Sequence, residues 1–404
     1  MRSKAWAVAA ERPVERPHLR VAWLCGVVLF LEGYDIAAVG YAIPSLVDAW
    51  RLAPSDFTQV LTAGNIGLLL GSLGAGLLGD QLGRKPMLLS SVAAFGVFAL
   101  LSAFASSPLQ MAGLRFLTGL GLGGGIPLAI ALASDFAPSV GQGRLVMLMS
   151  VGVPMGFTIG GLLASQFVRV FGWPAIFVAG GVLPLAMVPV LARWLPESAA
   201  LSAATRRPNT VAALFLDRLA PSTALLWAMN LINLFNNYFM LLWLPAILHG
   251  TGVSPPWAIF GATMYALGVI LGGVLTAPVV DRMGVERVLT GVLTLGALCV
   301  LSIGLLDPPF WLLSVIICGA GTGIGGCQAG LNSLSGQIYP PEIRSTGAGW
   351  ALGAGRVGTI AGPLLGGALL GLGWRAQSLF IALAIPAFAV PLLMVILRRV
   401  RRSW

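Results

Sequence analysis

Charge is scarce in this sequence: 9% of its 404 residues are Asp, Glu, Lys or Arg, against about 25% in a soluble globular domain. With 57% hydrophobic residues, that shortage excludes a water-soluble fold, because no soluble core buries so much apolar sequence. Histidine is limited to His18 and His249, and cysteine to Cys25, Cys299, Cys318 and Cys327, all four in apolar runs. These spacings match neither a metal-ligand set nor a disulfide framework. No metal site is expected, and the cysteines read as packing residues. A reactive Ser–His or metal constellation is also missing, so neither an enzyme nor a bound cofactor is expected. The stretches 119–124, 321–326 and 353–358 fit Gly-x-Gly-x-x-Gly. None follows a strand of a soluble βαβ unit, which rejects a dinucleotide site. They read as close-packing helix faces.

What the chain has instead is a series of long apolar runs. A helix needs about 20 apolar residues to cross a bilayer. Twelve candidates follow: about 21–47, 56–80, 85–106, 108–136, 142–171, 173–195, 219–248, 255–281, 286–306, 309–337, 344–372 and 374–397. The expected fold class is therefore an all-α membrane protein of twelve spans. Ala5–Ala10 is too short for a signal-peptide core and runs into Glu11, so no cleaved signal is expected. With both termini inside, the inner loops and tails hold most of the basic residues, among them Arg2, Lys4, Arg84, Lys85, Arg206, Arg207, Arg287, Arg398 and Arg399, whereas Arg51, Arg169 and Arg375 fall outside. That bias sets the orientation and explains the net charge of +10. The basic tails read as anchors on anionic membrane lipids, with no nucleic acid implied. The abundance of Arg over Lys hints at a GC-rich bacterial genome, and the cytoplasmic membrane is the expected location.

The chain repeats. Gly71, Asp80 and Gly83 recur 201 residues later as Gly272, Asp281 and Gly284. Ser55 and Ser254 stand ahead of the second and eighth spans as N-cap candidates, and Pro138 and Arg144 are matched loosely by Pro340 and Arg344. The expected organisation is an inner tail (1–20), a six-helix half (21–195), a linker (196–218), a second half (219–397) and a basic tail (398–404). Repeat-built transporters hold their site between halves near the midplane.

Polar residues inside the spans are the candidate site. Glu32 and Asp35 lie mid-span in the first run, three apart and so on one helix face. Ionisable groups at that depth cost on the order of 2.5–3.5 kcal/mol and mark ion or substrate pathways. A pair neutralised by helix–helix hydrogen bonds is the plainer alternative. Gly33 between them allows a second backbone to come close. Arg115 sits within the outer part of the fourth span, ~10 Å outward of Asp35 at 1.5 Å per residue, and could instead snorkel outward. Asn233, Asn236 and Asn237, with Tyr238 beside them, share a face of the seventh span that suits either a wet substrate cavity or interhelical hydrogen bonds. Gln328 and Asn332, four apart, share a face in the tenth. Arg356 lies near the middle of the eleventh, where a permanent cation forms bidentate pairs with carboxylates; satisfaction by carbonyls is the alternative. Together these suggest a site for an anionic substrate.

The run from Gly71 through Asp80-Gln81-Leu82-Gly83-Arg84-Lys85-Pro86, with its echo Asp281-Arg282-Met283-Gly284, resembles the loop signature of the major facilitator superfamily. The resemblance covers essentially the whole chain and implies two pseudo-symmetric six-helix halves. It implies a gating role for Asp80, a latch on the cytoplasmic side, joined by Arg84, Asp135, Arg144, Asp281, Arg282 and Arg344. Asp135 could pair with Arg84 or Arg144. Arg115 resembles the superfamily's helix-4 arginine, which pairs with the helix-1 acid, here Asp35. Leu195-Pro196-Glu197-Ser198 resembles the exit of the sixth helix in sugar and organic-acid branches, with Glu197 expected against cytoplasmic arginines.

Glu32-Gly33-Tyr34-Asp35, Arg115 to Pro138, Asn237-Tyr238-Phe239 to Trp243-Leu244-Pro245, and Tyr339-Pro340 to Pro363 together resemble the aromatic acid:proton symporter family. That resemblance implies import of a small aromatic carboxylate with protons by a monomer. Proton coupling would fall to Asp35, Glu32 and Arg115, and substrate binding to Arg356, Asn233, Asn236, Asn237, Tyr238, Gln328 and Asn332. Three features depart from the family pattern: Glu32 replaces its first Asp, Leu128 follows the helix-4 proline where an Asn is common, and the seventh span is rich in Asn. The alternative is a proton-coupled exporter or symporter of another metabolite or drug on the same fold.

Overall fold

The computed structural model describes residues 17–136, 149, 151–197, 214–215, 219–339 and 343–402. Among the described residues every regular element is helical: α1 (Pro17–Trp50), α2 (Thr58–Leu82), α3 (Arg84–Ser102), α4 (Pro108–Phe136), α5 (Gly152–Phe171), α6 (Pro174–Trp194), α7 (Leu219–Gly250), α8 (Pro255–Met283), α9 (Val285–Leu305), α10 (Phe310–Gly323), α11 (Gln328–Ile338), α12 (Arg344–Gly371) and α13 (Ala376–Arg402). Ten stretches are long and apolar enough to cross a membrane, with Phe310–Leu334 counted as one across the α10–α11 break. At 25 and 28 residues, α2 and α12 complete twelve crossings. The tenth expected run is thus broken in two. Gly323, Gly325 and Gly326 weaken the helix there, each by about 1 kcal/mol relative to Ala, and the Gly326 amide reaches back to the Gly321 carbonyl (3.0 Å) in a π-type turn.

The repeat seen in the sequence is a repeat of turns and of packing. Gly83 and Gly284 both take positive φ, 99° and 83°, and make the abrupt α2–α3 and α8–α9 turns that a residue with a Cβ would strain. Within the first half, Gly67 and Gly71 of α2 lie on the α4 backbone at Phe116 and Leu120, and Gly119 and Gly123 of α4 lie on α2. The second half repeats this seam with Gly268 and Gly272 of α8 on Cys318 and Thr322 of α10. Likewise Gly152 and Gly156 of α5 rest on α1, as Gly358 and Gly362 of α12 rest on α7. Small residues bring these helices into direct backbone contact, where dispersion is strongest. The serines do not behave as the repeat suggests. Ser254 occupies the N-cap position of α8 without a side-chain cap bond, and Ser55 lies in a 3-10 turn (Pro54–Phe57) ahead of α2, where its carbonyl accepts the Thr58 hydroxyl.

The halves share one apolar core at one end and keep separate cores at the other. Where α1 ends and α2 begins, a single cluster takes Tyr41, Leu46 and Phe177 from the first half with Trp243, Ile259 and Leu383 from the second. At the opposite end Leu24, Val92 and Ala129 form a core of the first half, while Leu226, Leu289 and Met394 form one of the second. Close approaches across the seam fall at the shared end: Gly40 on Leu241 and Leu242, Gly161 on Thr263, and Gly367 on Thr58. His249 adds a polar clasp there, its Nε2 2.9 Å from Asp48 Oδ1 and its Nδ1 2.9 Å from the Val253 carbonyl.

The seams predict a matched pair of lesions. Gly67→Val and Gly268→Val should each destabilise the purified protein by about 1–3 kcal/mol, as overpacking does, and lower its melting temperature. Gly113→Ala, whose added carbon meets nothing within 4 Å, should melt near the parent.

Candidate functional site

The site forms where α1 passes between α4, α5 and the second half. A Cβ on Gly33 would overlap the Val153 carbonyl of α5, so the glycine between the two acids is what lets α5 close on α1. Tyr34 and Tyr41 fix the rotation of α1, donating to the carbonyls of Ile176 and Phe157 at 2.7 Å each. Glu32 and Asp35 are thereby held inside, at 0% and 2% exposure.

Asp35 is paired. Arg115 Nη1 donates to both its carboxylate oxygens, at 3.2 and 3.1 Å. The side chains close the depth offset counted along the sequence. The guanidinium has further partners: Nε and Nη2 donate to Ser102 Oγ at 3.2 and 2.8 Å, Nη2 reaches the Phe98 carbonyl at 3.4 Å, and its Cζ stands 5.1 Å from the Phe177 ring centroid. Arg115 is 3% exposed, which removes the outward-snorkelling alternative. Ser102, Phe98 and Phe177 were not evident from the sequence; the one signal was a hydroxyl ending an apolar helix. Beside the pair lies a cavity of about 40 Å³ lined by Asp35, Asn65, Arg115 and Thr118 among apolar neighbours, room enough for water by the ~10–15 Å³ that one needs.

Glu32 is not paired in that way. Neither carboxylate oxygen has a hydrogen-bond partner among the described residues. The carboxyl lies against Gly125 of α4. Arg356 is partly exposed.

The amides expected to line a wet face are largely bonded to one another around the helix break. Asn233 Nδ2 donates to the Ile324 carbonyl at 3.1 Å and to Gln328 Oε1 at 2.9 Å. Gln328 Nε2 donates to Asn230 Oδ1 (2.9 Å) and Asn332 Oδ1 (3.0 Å). Asn237 accepts the Tyr265 hydroxyl at 2.9 Å. In this conformation these residues join α7 to α8, α10 and α11, and only Asn233 Oδ1 and Asn236 Oδ1 among their described buried atoms lack a partner. Tyr238 departs from the expected grouping: it is 7% exposed within the apolar core shared by the halves, because one residue past Asn237 the helix has turned by about 100°.

Of the gating residues, Arg84 Nη1 donates to the Ala131 carbonyl of α4 at 3.2 Å, and Arg282 is exposed. Arg144 lies outside the described residues, as do the side chains of Asp80, Asp135, Asp281 and Arg344. Glu197 reaches the α2–α3 turn, where the Lys85 amide donates to it at 3.4 Å.

Twelve crossings in two like halves, closed on each other at one end, with a buried ion pair inside the first half, define a membrane transporter of the alternating-access class. The chain belongs to the major facilitator superfamily: that family's model matches residues 25–254 and, overlapping it, 226–404. It is a secondary transporter, not an enzyme. It is 34% identical to the gallate transporter of Pseudomonas putida over 94% of this chain and 92% of that one. It is 33% identical to the 4-hydroxybenzoate transporter PcaK of the same species, over 93% and 92%, and 35% identical to the 3-(3-hydroxy-phenyl)propionate transporter of Escherichia coli (strain K12), over 94% of each. Among solved structures, the D-xylose-proton symporter superposes with a TM-score of 0.75 at 17% identity, over 93% of this chain and 97% of that one. This likeness is one of fold.

Removing one member of a buried ion pair strands the other. Asp35→Asn should therefore destabilise the protein by about 3–5 kcal/mol, whereas the double variant D35N/R115Q should recover much of the loss. Thermal melts of the two variants and the parent check this directly.

Proposed function

We propose that the protein imports a small aromatic carboxylate together with protons across the bacterial cytoplasmic membrane. The observation that carries this reading is similarity over more than nine-tenths of the chain to carriers of gallate, 4-hydroxybenzoate and hydroxyphenylpropionate, all of them aromatic acids. Residues 21–195 and 219–397 are the moving halves, 196–218 their linker, and 1–20 and 398–404 inner tails held on anionic lipid. Both termini are cytoplasmic, and one chain is the working unit.

In this orientation the end with the shared core is the outer one, so the carrier stands open toward the cytoplasm. Arg356 receives the substrate carboxylate, and the acids of α1 carry the proton. Asp35 and Arg115 neutralise each other, and Glu32 and Arg356 are the remaining acid and base of the interior. These four groups sum to zero charge, which favours closing a cavity around them, since burying a net charge is strongly unfavourable. An anion entering alone upsets that balance, and a proton entering with it restores it. The amides of α7 and α11 hold the α10–α11 break, and their rearrangement accompanies opening to the outside. Asp80 and Arg84 at the α2–α3 turn and Asp281 and Arg282 at the α8–α9 turn, together with Asp135, Arg144 and Arg344, latch the inner side in the opposite state.

Proteoliposomes test the reading with labelled gallate, 4-hydroxybenzoate and 3-(3-hydroxyphenyl)propionate. At least one acid should accumulate under an inward proton gradient and fall to equilibration when an ionophore collapses it. Accumulation of none, or accumulation indifferent to the ionophore, would overturn proton-coupled import.

A further inference from the structure

The two halves treat the same turn differently. In the first half the α2–α3 turn at Gly83 is met by an anion from the chain itself. Glu197 Oε1 accepts the Lys85 amide at 3.4 Å and would stand 3.1 Å from a Cβ on Gly83. The matching α8–α9 turn at Gly284, 201 residues on, has no such anion among the described residues. A Cβ on Gly284 would meet nothing within 4 Å, and α9 starts there without a side-chain cap bond. The residue 201 positions after Glu197 is Arg398. A cation thus stands where the repeat calls for a carboxylate.

Beside this turn lies a cavity of about 390 Å³ lined by Glu286, Arg287, Gln337, Arg398 and Arg401. Arg401 is fixed in it: Nη1 donates to Glu286 Oε1 at 2.6 Å and Nη2 to the Gln337 carbonyl at 3.4 Å. Glu286 is therefore already engaged. The side chains of Arg287 and Arg398 have no hydrogen bond or ion pair among the described residues. Arg398 and Arg401, three apart, share a face of α13. Three arginines against one glutamate leave the cavity with positive charge in excess, and like charges held together without a counter-anion repel. The chemistry that matches several guanidiniums at once is that of a phosphate, with its array of acceptor oxygens.

The surface next to the cavity says which phosphate. Arg287, Gly291, Leu295 and Leu298 follow one another at i, i+4, i+8 and i+11, along one side of α9. Arg287 is exposed, a Cβ on Gly291 would meet nothing within 4 Å, and Leu295 and Leu298 are about half exposed. This open apolar track leads from the arginines into the bilayer and suits an acyl chain, which a free phosphate lacks. We propose that the cavity binds one anionic phospholipid of the inner leaflet, its phosphate among Arg287, Arg398 and Arg401 and an acyl chain on the track past Gly291. The leaflet follows from the orientation given above. Beyond the general attraction of the basic tail for anionic lipid, this is a single site of fixed composition. The lipid gives the second half the anion that Glu197 gives the first, and ties the α8–α9 turn to the end of α13.

Native mass spectrometry of the full chain, delipidated in detergent and titrated with phosphatidylglycerol or phosphatidylcholine, tests the site. The parent should retain one phosphatidylglycerol in preference to phosphatidylcholine. R287Q/R398Q should weaken that retention by about thirtyfold, from two arginines at about a factor of five each. R193Q/R399Q removes as much inner-side charge from positions outside the cavity and should retain the lipid as the parent does. G291W, which fills the track, should lose lipid yet melt near the parent in lipid-free detergent. Retention unchanged in R287Q/R398Q would overturn the site, and so would an equal fall in both double variants, the mark of general charge attraction. Inorganic phosphate that raises the parent's melting temperature as much as phosphatidylglycerol, with lipid retention intact in G291W, would make the occupant a free phosphate and overturn the lipid. None of these measurements involves transport. Failure here leaves the import reading standing, and failure of import leaves this site to be judged on its own.

Discussion

Everything in this structure answers to the balance of charge in a medium that tolerates none unpaired. Two acids and two arginines are committed to the membrane interior, and a buried carboxylate or guanidinium is tolerable only beside a compensating partner. Asp35 and Arg115 meet this demand in full. The pair is closed by two oxygens of one carboxylate, by the Ser102 hydroxyl and by the face of Phe177. Glu32 is buried against Gly125, and neither of its carboxylate oxygens has a hydrogen-bond partner among the described residues. The interior therefore holds one satisfied ion pair and one buried acid without a bonded partner among the described residues.

The glycines make such close placement possible. Gly33 lets α5 approach the segment that carries both acids, Gly125 leaves the space that the Glu32 carboxyl fills, and the matched seams of α2 on α4 and α8 on α10 give each half a rigid frame. Rigidity within halves and weaker attachment between them are what a rocking mechanism requires. The described apolar cores fit that division: one is shared by both halves at the closed end, and two belong to separate halves at the other. The broken α10–α11 span adds backbone groups that need partners inside the bundle, and the Asn233 amide serves the Ile324 carbonyl there.

Much of the fold was legible in the chain. Apolar runs fixed the crossings, because span length and hydropathy are local quantities. The 201-residue offset exposed the two halves, because Gly83 and Gly284 must each take positive φ at the same turn. The fourth run, 108–136, matches α4 to the residue. The break in the tenth was harder to see. Glycines there read as a packing face, and whether such a run bends or continues depends on what Asn233 and Gln328 offer from neighbouring positions. Glu32, Asp35, Arg115 and Arg356 stood out as charges in apolar sequence. The amides stood out equally, but their bonding to one another did not.

The sequence by itself determined the class of protein, the number and order of its spans, the internal repeat and the identity of the charges that had to be reconciled inside it. Tertiary structure decided the partners: that Arg115 reaches Asp35, that Glu32 faces Gly125, that Tyr238 turns into the core while Asn237 meets Tyr265, and that one end is closed. The reason is geometric. Periodicity places a residue on a face of its own helix, but a partner on another helix depends on rotation, tilt and depth, and these are set by contacts between glycines and backbones far apart in the chain.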